Sequence, residues 1–134
     1  MQLAHAAAWG TSSIALLIGI LGIANTMAMS VFERTREIGV LRALGWNSRR
    51  VLLLIQIEAA ALGLAGGILG IGFGFLALRI LARLPQTASV VSASFPIQVL
   101  AEALAIAIVA GLLAGIVPAW RGARLSPVEA LRYD

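Results

Sequence analysis

A short charged segment, Glu33-Arg34-Thr35-Arg36-Glu37-Ile38-Gly39-Val40-Leu41-Arg42-Ala43-Leu44-Gly45, separates two long apolar runs of the sequence. Its two glutamates lie toward the N-terminal end and Arg42 lies toward the C-terminal end, the charge order that a helix dipole favours. Gly45 is placed to adopt the left-handed conformation that ends a helix, with Trp46 folding back on Leu41. The segment therefore predicts a helix over about residues 33–44.

The apolar residues of this predicted helix fall on two faces. One face carries Val31, Ile38 and Leu41 together with Arg34 and Arg42, and the opposite face carries Val40 and Leu44 together with Glu33 and Glu37. Because an ordinary surface helix buries one face only, two half-apolar faces favour a helix held between its own bundle and a partner protein. The alternative is a solvated linker whose charges keep it out of the bilayer, and the pattern alone does not decide between them. The spacing also allows ion pairs between Glu33 and Arg36 and between Arg34 and Glu37.

The composition is that of a membrane protein. The 134 residues have a mean hydropathy of +0.98, and only 12% are charged, against about 25% in soluble domains. All ten basic residues are arginine, which excludes a Walker-type phosphate loop with its lysine. There is no cysteine and one histidine, His5, so neither a metal site nor a thiol nucleophile is expected. Glu58 and Glu102 lie on different predicted helices and form no acid–base pair, so no catalytic residues are predicted.

Three apolar runs predict transmembrane helices at about residues 8–31, 51–80 and 97–118, each long enough to cross a hydrocarbon layer of about 30 Å. Asn47 or Ser48 is a candidate N-cap for the second helix. Glu58 lies inside the second run, either at the cytoplasmic edge of the membrane or as a buried functional carboxylate. Pro118 and Trp120 are expected to mark the far interface of the third run.

Glycines in the second and third runs have the spacing that lets helices approach closely in lipid. The predicted packing residues are Gly63, Gly66, Gly67, Gly70, Gly74, Gly111 and Gly115. These glycines lie inside apolar helices with no preceding strand, so they do not indicate a phosphate-binding loop.

The arginines predict the topology, because cytoplasmic loops carry the excess of basic residues. Five arginines follow the first run and three lie in the tail, whereas two follow the second run and none precedes the first. The predicted helix at residues 33–44 and the C-terminus are therefore cytoplasmic, and the N-terminus lies outside. Arginines that flank membrane spans also explain the basic charge without nucleic acid. In the tail, Ser126, Pro127 and Glu129 form a capping box that predicts a short cytoplasmic helix.

Two strings together resemble a known family. The segment from Glu33 to Gly45, the glycine-rich run and Pro118-Ala119-Trp120-Arg121-Gly122-Ala123-Arg124-Leu125-Ser126-Pro127-Val128-Glu129-Ala130-Leu131-Arg132 resemble the C-terminal module of MacB/FtsX-like ABC transporter permeases, which include the lipoprotein-releasing permeases. The expected fold is all-α, with three transmembrane helices, a coupling helix between the first two and a short C-terminal helix. The resemblance implies a multi-pass protein of the cytoplasmic (inner) cell membrane.

The resemblance also implies partners and residue roles. The coupling helix would dock on an ABC ATPase through Glu33, Arg34, Arg36, Glu37, Ile38, Gly39, Leu41, Arg42, Leu44 and Gly45. The cytoplasmic C-terminal motif would comprise Pro118, Arg121, Arg124, Ser126, Pro127, Glu129 and Leu131. This chain would hold no cofactor, since ATP and magnesium would bind to the ATPase. A second permease copy, forming a homo- or heterodimer, and membrane lipid complete the expected partners.

Permeases of this family usually have a further N-terminal span and a large extracytoplasmic domain. The chain is therefore expected to be a C-terminal piece or a split subunit. The competing interpretation is a small oligomeric membrane scaffold or pore that works without an ATPase and uses the glycine faces for self-association.

Overall fold

The computed structural model describes residues 2–83 and 96–124, which form four helices. Their bounds are α1 Gln2–Glu33, α2 Thr35–Ala43, α3 Ser48–Leu81 and α4 Ile97–Arg124. The three long helices are long and apolar enough to cross a membrane, and the described ranges contain no strand. The predicted all-α membrane fold with three spans is confirmed.

The helix α2 is a bent continuation of α1. A single residue, Arg34, separates them, with φ −96° and ψ 13°. Hydrogen bonds of helical spacing cross the break, because the Arg34 N–H donates to the Ser30 carbonyl at 3.1 Å and the Ile38 N–H donates to the Arg34 carbonyl at 3.0 Å. The Thr35 hydroxyl donates to the Val31 carbonyl at 3.1 Å, a back-bond of the kind that bends helices.

The C-terminal end of α2 has the predicted geometry. Gly45 has φ +94°, and its N–H donates to the Arg42 carbonyl at 3.0 Å, while the Trp46 N–H donates to the Leu41 carbonyl at 3.1 Å. These two bonds are the pair that defines a Schellman motif. Asn47 is the N-cap of α3, as expected, although its side chain makes no capping hydrogen bond.

Glycines allow α3 and α4 to touch through their backbones. A Cβ added to Gly63 would lie 2.5 Å from the Ala107 carbonyl oxygen, and one added to Gly111 would lie 2.5 Å from the Ala59 carbonyl oxygen. The helices pack along this line through the predicted residues Gly63, Gly67, Gly111 and Gly115. The other predicted packing residues, Gly66, Gly70 and Gly74, have nothing within 4 Å of an added Cβ. Gly70 and Gly74 line an open groove between α3 and α4, opposite Val99 and Ala103.

The apolar core lies at one end of the bundle, where the end of α1, all of α2, the start of α3 and the end of α4 meet. Its cluster consists of Met27, Ile38, Val51, Ile55, Ala59 and Ala119. We call this the basic end, because seven of the nine arginines in the described ranges lie on its segments: Arg34, Arg36, Arg42, Arg49, Arg50, Arg121 and Arg124. Toward the other end the helices are mostly exposed, as expected of surfaces that lipid covers.

The third long helix extends past the predicted span of residues 97–118. Pro118 lies inside α4, which runs six residues further to Arg124, and the ring of Pro118 is fully buried. The proline therefore packs within the bundle instead of ending the helix. The predicted tail residues Ser126, Pro127, Glu129 and Leu131 lie outside the described residues.

Candidate functional site

One face of α2 packs onto the bundle. Ile38 retains 6% of its exposure and belongs to the core cluster. Gly39 is also buried and Leu41 is half-buried. A Cβ on Gly122 of α4 would lie 3.3 Å from Val31 and 4.0 Å from Ile38, so this face lies directly against α4. We call it the inward face.

The inward face is joined to α3 by an ion pair. Arg34 Nη1 donates to Glu58 Oε1 at 2.8 Å. The two side chains are 53% and 41% exposed. Glu58 is therefore neither unpaired nor deeply buried. The sequence spacing had suggested Glu37 as the partner of Arg34, but the structure pairs Arg34 with Glu58 of α3.

A second arginine joins the inward face to α4. Arg42 Nη1 donates to the Ala123 carbonyl oxygen at 3.1 Å. Ala123 lies in the last described turn of α4. Arg42 therefore ties the C-terminal part of α2 to this turn of α4.

The opposite side of α2, which we call the outward face, is exposed. It consists of Glu33, Arg36, Val40 and Leu44. Glu37 is also exposed, but it lies at the edge of the inward face, where it lines a pocket with Arg34 and Glu58. Val40 is 43% exposed and Leu44 is 76% exposed. These two side chains are four residues apart, so they lie side by side on the helix surface and form a small apolar patch among charges.

The structure divides the residues predicted to dock on an ATPase into two groups. Ile38, Gly39 and Leu41 point into the bundle, and Arg34 and Arg42 are engaged there. The remaining predicted residues, which are Glu33, Arg36, Glu37, Leu44 and Gly45, are exposed. The helical wheel already placed Ile38 and Leu41 on the face of the two arginines, so the division could have been foreseen. Val40 could have been added to the site by the same reasoning, since it shares the face of Leu44.

Residues 9–127 match the FtsX-like permease C-terminal family. The match covers most of the 134 residues, including all of α2, α3 and α4. This chain belongs to that family. The resemblance found in the two sequence strings is therefore confirmed. In this FtsX-like permease domain, α2 lies between the long helices α1 and α3.

Relatives of this FtsX-like domain include ABC transporter permeases from archaea and bacteria. An uncharacterised ABC transporter permease of Methanocaldococcus jannaschii is 37% identical over 93% of this chain and 32% of its own length. The pyoverdine export ATP-binding/permease protein PvdT of Pseudomonas fluorescens is 41% identical over 92% of this chain, and the macrolide export ATP-binding/permease protein MacB of Bdellovibrio bacteriovorus is 35% identical over 92%. The chain spans 18% of the length of each of the last two proteins.

Proposed function

We propose that this chain is the membrane-embedded permease module of an ABC transporter and that an ABC ATPase docks on the outward face of α2. The observation that carries the proposal is the contrast between the two faces of α2. Its inward face is fixed to α3 and α4, whereas its outward face exposes Val40 and Leu44. An apolar pair on a helix that is otherwise anchored, outside the three apolar spans, is a surface suited to a protein partner.

The hydrolysis of ATP belongs to that partner. The permease module would be non-catalytic, and ATP with magnesium would bind to the ATPase in a separate subunit or domain. Relatives named as ATP-binding/permease proteins support this pairing of the two activities. Hydrolysis would drive transport or mechanical work across the membrane by moving α2 together with the helices to which it is attached.

The basic end would lie in the cytoplasm, with the N-terminus of the chain outside. The excess of arginines at that end supports this orientation. Because the chain has no cysteine, single cysteines can report it. A membrane-impermeant thiol reagent applied to intact cells should label Arg83→Cys and should leave Arg49→Cys unlabelled, and the reverse pattern would invert the orientation.

A second permease copy is the proposed partner within the membrane. Gly70 and Gly74 line an open apolar groove between α3 and α4, and small residues of this kind let a further helix approach closely in lipid. The second copy would be identical or homologous, and lipid would cover the remaining apolar surface.

The docking proposal is tested by measuring how tightly the full-length permease binds its ATPase. The change is the double variant Val40→Ala and Leu44→Ala, and the matched control is Leu53→Ala, which truncates a leucine of α3 that is 61% exposed. Loss of apolar anchors at an interface costs about 1–2 kcal/mol, so the dissociation constant should rise about 5–30-fold. The control should bind like the wild type.

Equal binding by the double variant and the control would overturn the docking site. If the wild-type permease recruits no ATPase, the proposed function itself fails, and the interpretation as an oligomeric scaffold or pore takes its place.

A further inference from the structure

Two arginines hold the two ends of α2 against different helices of the bundle. Arg34 precedes the helix and binds Glu58 of α3, and Arg42 lies near its end and binds the Ala123 carbonyl of α4. They are eight residues, or about 12 Å, apart along the helix axis. We call these two contacts the arginine clamp.

The Arg34–Glu58 pair spans a gap between α2 and α3. Beside it lies a pocket of about 70 Å³, with walls that include Ile38, Leu41 and Ile55. The pair thus bridges two helices across a partly open space with mainly apolar walls. A half-exposed ion pair contributes little to global stability, so its effect is local: it ties α2 to α3 at this point.

The connection between α1 and α2 gives the clamp a mechanical role. The one-residue break at Arg34 is a point where α2 can bend relative to α1. A force applied to the outward face would bend this joint unless α2 were also held from inside. The clamp supplies that hold at both ends, so a displacement of α2 must be shared by α3 and α4.

We propose that Arg34 and Glu58 are a positioning pair that transmits the displacement of α2 to α3, and that Arg42 does the same for α4. This inference rests on the proposed function, since it takes the ATPase to act on the outward face. It assigns Arg34 and Arg42 to contacts between helices of the permease and not to the ATPase interface. The ATPase would then contact Arg36 and its neighbours, while Arg34 and Arg42 transmit the displacement of α2 to α3 and α4.

The experiment uses the full-length permease with its ATPase in lipid nanodiscs, on a cysteine-free background. The variants are Arg34→Glu, Glu58→Arg, the exchange of both charges in one protein, and Arg36→Glu as the matched control. Arg36 is exposed and lies on the outward face, two residues from Arg34. One readout is ATPase binding, and the other is the ATP-driven change in distance between spin labels on α1 and α3 at the end opposite α2.

Reversing the charge of Arg34 or Glu58 should affect the ATP-driven distance change and leave ATPase binding nearly unchanged. Arg34→Glu and Glu58→Arg should each bind the ATPase within about twofold of the wild type, while the ATP-driven distance change falls by about fivefold or more, the lower end of typical coupling between sites. The exchange variant should restore the response, because it recreates an ion pair in the same place. Arg36→Glu should instead weaken ATPase binding.

Three outcomes would contradict the proposed role of Arg34 and Glu58 as a positioning pair. The single reversals could keep the full ATP-driven response, the exchange could fail to restore it, or Glu58→Arg could weaken ATPase binding as much as Arg36→Glu does. In each case the proposed function survives, because the wild-type permease still binds and responds to its ATPase. A wild-type permease that binds no ATPase would instead remove the proposed function on which the inference rests.

Discussion

Replacing Gly111 by alanine should push α3 and α4 apart at their closest contact. The added Cβ would lie 2.5 Å from the Ala59 carbonyl oxygen and 3.0 Å from the Gly63 Cα. Both neighbours are backbone atoms, so neither can rotate away as a side chain could. The helices themselves must move.

The size of the effect follows from that distance. To lengthen the contact to 3.0–3.4 Å, the tightest range that real Cβ atoms normally occupy, the backbones must separate by about 0.5–0.9 Å. A gap of about 0.5–1 Å forfeits about a quarter to a half of the dispersion energy of each contact along the line. Overpacking of this kind costs about 1–3 kcal/mol, and the better helix propensity of alanine offsets about 1 kcal/mol of that cost. The free energy of unfolding should therefore fall by up to about 2 kcal/mol.

The measurement is the free energy of unfolding in mixed detergent micelles, followed by tryptophan fluorescence. The matched control is Gly66→Ala, because this glycine lies on the same stretch of α3 and an added Cβ there meets nothing within 4 Å. The control should be as stable as the wild type or slightly more stable. Adding Gly63→Ala to Gly111→Ala should cost less than the sum of the single changes, since one separation accommodates both methyl groups. If the Gly111→Ala and Gly66→Ala variants are equally stable, the claim that α3 and α4 are in close contact at Gly111 is wrong.

Two further predictions concern α2 and use the same unfolding measurement. Gly45→Ala should lower the free energy of unfolding by about 1–2 kcal/mol, because alanine is strained at φ +94°. The control Gly22→Ala, in the open, regular part of α1, should not lower it. Equal effects of the two changes would mean that the turn at Gly45 relaxes freely. Ile38→Ala should lower the free energy of unfolding by about 2–5 kcal/mol because the Ile38 side chain is buried. Val40→Ala, at an exposed position, should lower it by about 0.5 kcal/mol or less. Similar losses at the two positions would contradict the assignment of the two faces.

The features that could be predicted from the sequence are those that depend on neighbouring residues. Hydropathy locates the three spans because lipid demands about twenty apolar residues in a row. The end of α2 follows from Gly45 and Trp46, since a Schellman motif needs only a residue that tolerates a left-handed backbone and its immediate neighbours. The separation of apolar residues onto two faces of α2 is likewise a local property.

The features that could not be predicted depend on which helices meet. Glu58 binds Arg34 across 24 residues of sequence, and nothing near either residue specifies the other. Three glycine pairs in α3 have identical spacing, yet only Gly63 and Gly67 are in close contact with α4. Pro118 was expected to mark an interface of the third run, and its complete burial inside α4 depends on other helices that its own surroundings do not specify. In each case several arrangements satisfy the local chemistry, and the packing of distant helices selects one.

The central claim is that the outward face of α2 is the surface on which an ATPase acts. It is tested most directly by placing a photo-crosslinking amino acid singly at Leu44 and at Leu53 in the full-length permease and illuminating the assembled complex. The account predicts that the residue at position 44 crosslinks to the ATPase and that the one at position 53 does not. A crosslink to the ATPase from position 53 but none from position 44 would contradict it.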